Sequence, residues 1–310
     1  MSIALGAAIQ YEDAGTRFWA SPDLWNMNSY PGHSPEALRS ALLMAYWLGA
    51  ETIYVENLDF HKWQPRHPLA APTGSLLAWI DPEHFEVTPH GRVVREVYRD
   101  YVPKHPRTIR WQDYDPRVAI IRLPDGAWGQ PNDSVASRNR LLGNREMPLD
   151  AAASEWLHVW PILTHGSARP GAISAGNASV YPKGIEEFFV PIDSVAVFDH
   201  NVTASRLANV DCLIVCGHAL SAPTFQAIRA RVAGGATCVI ARRLYAQHAT
   251  GSLPGDWLIV DDFKSPQIAK ELSPFLGPPD VARFRFKHQV VEFRRAAAPD
   301  SITMRVLERN

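Results

Sequence analysis

Cysteine is scarce in this chain, with three among 310 residues, at positions 212, 216 and 238. An odd and sparse set builds no disulfide framework and points to a reducing, cytoplasmic setting. Charge of one sign is not in excess either, since 31 Lys and Arg stand against 32 Asp and Glu. Without a surplus of basic residues there is no general field to draw in nucleic acid or an anionic membrane. No apolar run approaches the ~20 residues of a membrane-spanning helix. The opening MSIALGAAIQYED lacks a basic start and turns acidic within the first turns of chain, so it does not read as a secretory leader. Glycine-rich phosphate loops are missing. The 12 histidines include His61 and His67 in an irregular stretch, but no His/Cys group has zinc spacing. The sequence therefore calls for no metal and no cofactor.

What the chain does have is tryptophan, ten in all, six of them before residue 112. It also has an alternation of apolar runs with capped helical stretches. Residues 3–11, IALGAAIQY, form an apolar run of buried-strand length that ends at Glu12-Asp13. A helix follows from Ser34 as cap and Pro35 at its first position to Gly49 beyond its end, with Leu38, Leu42 and Ala45 on one face. Thr52-Ile-Tyr-Val55 reads as the next strand. The stretch 57–87 is a long loop rich in Pro, His and Trp, and loops of that length are usually functional. A second helix starts at Thr88-Pro89 and stops at Pro103. Strand, helix, strand, helix with fully apolar strands is the mark of parallel α/β packing.

Residues 104–115 read as a linker, and a new α/β rhythm begins after them. Strands are expected at 118–123, 194–198, 212–216, 237–240 and 256–260, with helices at 149–164 and 222–233. That order is doubly wound and flavodoxin-like. From 281 the pattern becomes alternating, and a further alternating run opens at Ile302. The expected fold class is α/β: a partial (β/α) barrel portion over 1–103, the linker, a flavodoxin-like domain over 116–280, and a β element begun over 281–310.

Particular residues carry a resemblance to a known family. Tyr11-Glu12 with Trp19 nearby, Pro31-Gly32-His33 before a helix, and that helix leading into Leu48-Gly-Ala-Glu51 and a strand are similar to the end of the barrel in family 42 β-galactosidases. The stretch from Leu207 through Cys216-Gly217-His218 to Ala233-Gly-Gly-Ala-Thr-Cys-Val239 resembles the second, amidotransferase-like domain of the same family. The departure is at the eighth strand, where Tyr54-Val-Glu-Asn57 replaces the family's aromatic–Gln/Arg–Trp–Arg ending. The resemblance implies a retaining hydrolase of β-galactosides or related β-glycosides, with Glu12 as nucleophile and Trp19, His33, Glu56 and Trp63 at the sugar. It also implies a homo-oligomer, a trimer in that family. No stretch here matches the strand that bears the family's acid/base glutamate, so the sequence reads as a fragment that is inactive alone.

Other readings stand beside these. Retaining hydrolysis needs two carboxyl groups ~5–5.5 Å apart, at the carboxyl ends of barrel strands; Glu12 equally suits the start of a polar loop. Glu56 suits a pocket carboxylate, a partner for Arg17 or His33, or a plain strand-end residue. Trp19, Trp25, Trp63 and Trp79 suit stacking on sugar rings or packing over the barrel rim. Cys216-Gly217-His218 is similar to an amidotransferase nucleophile turn. However, Ile214 stands where the preceding glycine belongs and no His-Pro-Glu follows, so buried packing is the better account of Cys216. The competing class for the whole chain is a non-catalytic association module.

Overall fold

The computed structural model describes residues 1–22, 34–55, 76–81, 83–122, 150–167 and 189–309. The first element corrects the sequence expectation. Residues 3–11 are not a strand: Ser2–Gln10 form a helix, α1. Ala4, Ala7 and Ala8 favour helix over strand, and an apolar run this short carries no periodicity that decides between the two. Leu5, Ala8 and Ile9 face inward, and Gly6 touches the backbone of a later strand.

The strand of this region is β1, Trp19–Ala20. The helix α2, Pro35–Trp47, follows, and β2, Thr52–Ile53, returns parallel to β1 with Trp19 opposite Thr52 and Ala20 opposite Ile53. The helix starts as its sequence dictates. The Ser34 hydroxyl accepts from Ala37 N at 3.0 Å, and Pro35 occupies the first turn. Leu38, Leu42 and Leu43 share a small buried cluster with Val97.

Part of the expected long loop is ordered as an antiparallel hairpin, β3 (Leu77–Asp81) with β4 (His84–Val87). The helix α3, Pro89–Arg95, is capped by the Thr88 hydroxyl and continues into a π-helical turn, Glu96–Tyr101. Residues 104–115 are no loose tether, because Ile109, Trp111 and Tyr114 are buried in the main core.

The centre of the molecule is a five-stranded parallel sheet. Its strands are β5 (Val118–Arg122), β7 (Val195–Phe198), β8 (Cys212–Cys216), β9 (Thr237–Ala241) and β10 (Asp256–Val260). The short β6, Ile192–Asp193, precedes β7 and belongs to a second sheet. Across the central sheet the order is β10-β9-β8-β5-β7, which is 2-1-3-4-5 when these five strands are counted along the chain. One row of residues crosses it: Val195, Val118, Cys212, Thr237 and Asp256. Val118–Ile121 and Cys212–Cys216 are buried throughout, as strands covered on both faces must be.

Helices α4 (Ala151–Leu163), α5 (Ala204–Leu207), α6 (Ala222–Ala233), α7 (Arg242–His248) and α8 (Pro266–Leu272) accompany these strands. The protein is thus an α/β fold with a parallel sheet. The outer strand of that sheet, β7, is covered by α1. A Cβ on Gly6 would lie 2.2 Å from Val197 O and 2.8 Å from Val197 N, so only glycine lets the helix meet these backbone groups. Covering an edge strand with a helix removes a template for unwanted pairing.

The alternating stretch near the C-terminus forms β11 (Val281–Arg285), β12 (Gln289–Arg295) and β13 (Ile302–Glu308), antiparallel to one another, with β6 parallel to β11. This sheet joins the first through Tyr114, whose hydroxyl donates to Val195 O at 2.9 Å and whose ring packs against Phe284 and Phe286. Burial pushes the Tyr114 phenol well above its ordinary range, with Asp193 adding to the shift. The turn between β12 and β13 reaches back to α2. Ser34 donates to the Asp300 carboxylate at 2.7 Å, and Ser40 to its carbonyl at 2.9 Å. Among the described residues no helix is long and apolar enough to cross a membrane.

Candidate functional site

Glu12 was expected at the carboxyl end of a strand. It lies instead in a 3-10 turn, Glu12–Ala14, directly after α1. Its carboxylate accepts from Arg206 Nη2 of α5 at 3.1 Å. Its neighbours Gln10 and Tyr11 both donate to the Asp199 carboxylate, and Asp199 N returns a bond to Gln10 Oε1 at 2.8 Å. The C-terminal end of α1 is therefore tied to the segment that follows β7. The placement that recommended Glu12 as a nucleophile is corrected, and the observed setting is that of a structural ion pair.

Trp19 is in β1 and 63 % exposed, so it presents an open aromatic face, while Glu12 is turned to Arg206. The structure does not gather these two into one polar pocket through any bond of Glu12. His33, Glu56 and Trp63 lie outside the described residues, as does Trp25. The backbone of Trp79 stands opposite Phe85 in the β3–β4 hairpin.

A second place has the better geometry. In open parallel α/β sheets a crevice forms at the carboxyl ends of the strands where the order reverses, here between β5 and β8. Gly217 follows β8 with φ +84°, a left-handed turn suited to glycine. Its N–H donates to Glu155 Oε2 at 3.0 Å. Both Glu155 oxygens accept from Arg243, each at 2.6 Å, and Arg243 also donates to Gly217 O. Glu155 is 8 % exposed. The hydrogen bond to Glu155 is the main reason the Arg243 guanidinium is held above its ordinary pKa, against the opposing effect of burial.

Beside this clamp, Asp150 caps α4 by accepting from Ala153 N at 3.1 Å, and its Oδ1 lies 2.8 Å from His218 Nε2. Burial works to raise the Asp150 pKa, yet the Ala153 N–H and His218 together hold it below the usual carboxylate range. Arg122, at the end of β5, lies over the Trp156 ring at 4.7 Å.

Cys216 closes β8 at 1 % exposure, its Sγ 3.9 Å from Ile121 O. Burial drives the Cys212 and Cys238 thiols upward. A thiolate nucleophile needs access and a cationic neighbour free to stabilise it. Here the neighbouring guanidinium is engaged by Glu155 and a backbone carbonyl. Chemically, the cluster fixes the turn after β8; it does not present an activated group. Among the described residues no group of three or more His, Cys, Asp or Glu is arranged to hold a metal ion.

Glu155 and Arg243 were missed in the sequence. A signal for the carboxylate existed: Glu155, Val159 and Leu163 recur every fourth residue on the buried face of α4, and a charge on such a stripe demands a partner. Nothing in the local pattern marks Arg243 as that partner, 88 residues away. No protein-family model matches this chain, and no curated protein matches it.

Proposed function

We propose that this chain is the non-catalytic, associating part of a family 42-type glycoside hydrolase, a protein of β-galactoside or related β-glycoside breakdown. The order of elements supports the reading. A parallel strand–helix–strand unit, β1-α2-β2, comes first, as at the end of a barrel. A sheet of order 2-1-3-4-5 follows, which is the flavodoxin-like order. In the resembling family the second domain associates into trimers, and a homo-oligomer is the state proposed here. The barrel strand of this unit is 19–20 in place of 3–11, so the carboxylates that follow its strands in the sequence are Asp23 and Glu56.

One observation carries the non-catalytic half of the reading: Glu12 is bound to Arg206 in a turn that leaves a helix. A retaining nucleophile has to face the sugar, with a second carboxyl ~5–5.5 Å away. The chain is expected to leave a nitrophenyl β-galactoside uncleaved and to scatter light as a homo-oligomer. Turnover of that substrate by the chain, whether or not Glu12→Gln abolishes it, would overturn the first expectation. A monomer at all practical concentrations would overturn the second.

A further inference from the structure

No further inference is drawn: the strongest candidate, the outward face of the first helix, where Ile3 and Tyr11 are exposed while Ser2 and Gln10 turn inward, is an apolar surface, and nothing in the structure shows what covers it.

Discussion

The β1–β2 pair and the central sheet are both parallel, and they differ in almost everything except direction. In the β1–β2 pair each strand contributes two residues, Trp19 and Thr52 are exposed, and Ile53 is only half-buried. In the central sheet five strands share one row of pairing, and the inner ones are buried at all but one end residue each of β5 and β9. Parallel ladders are stable when helices cover both faces and several strands share the burial. The central sheet shares its burial among five strands. The β1–β2 pair relies on α2 and on bonds from outside itself, such as Asp300 to Ser34 and Ser40.

The comparison can be pushed hardest by making one truncation in both places. Ile214→Ala removes a fully buried side chain from the middle of β8 and is expected to cost about 2–5 kcal/mol. The same change at Ile53 in β2 should cost well under half of that, because the side chain is only partly covered. Urea unfolding of both variants measures the difference, and equal losses would show that the two sheets do not differ as described.

Next in size is the clamp at the end of the central sheet. Glu155→Ala strands the Gly217 N–H and the Arg243 guanidinium. Losing one partner of a buried pair costs about 3–5 kcal/mol, and the part-exposed Arg243 brings this down to about 2–3 kcal/mol. Thermal unfolding reads it, and an unchanged midpoint would mean the clamp is not formed.

Gly6→Ala drives a methyl group into the Val197 backbone. A loss of about 1–3 kcal/mol is expected, with faster hydrogen exchange along β7 as α1 lifts away. Unaltered exchange there would place the helix elsewhere.

The smallest effect is electrostatic. With its pKa depressed in the folded protein, Asp150 adds stability that is present above the ordinary Asp value, about 3.9. That contribution is lost as pH falls through its lower folded value. The wild-type protein should therefore lose more stability than Asp150→Asn on acidification below about pH 4, and parallel pH profiles would argue against the bonds that Ala153 and His218 make to Asp150.

The same contrast explains what the sequence revealed. Val118-Ala-Ile-Ile, Val195-Ala-Val-Phe and Cys212-Leu-Ile-Val-Cys are β-rich and bounded by polar residues, so the central strands are read to within a residue or so. The helix after Ser34-Pro35 is equally legible from its cap. Residues 3–11 are just as apolar, but their alanines and Gly6 suit a helix, and composition alone does not separate the two. The strands β1 and β6 are two residues long, too short for any period to appear. The expected site depended on the misread run, because a carboxylate belongs to a barrel rim only if a strand leads to it. The Glu155–Arg243 pair escaped for another reason: its partners meet only after the chain has folded across several strands.

The bonds between Gln10 and Asp199 span 189 residues. A ribosome working at roughly 5–20 residues per second releases the first helix roughly 10–40 s before the strand on which it rests. During that interval a segment without a single charged side chain lacks the strand that covers it in the folded protein. Newly made chains are thus most open to capture by chaperones, or to clumping, before residue 199 leaves the exit tunnel.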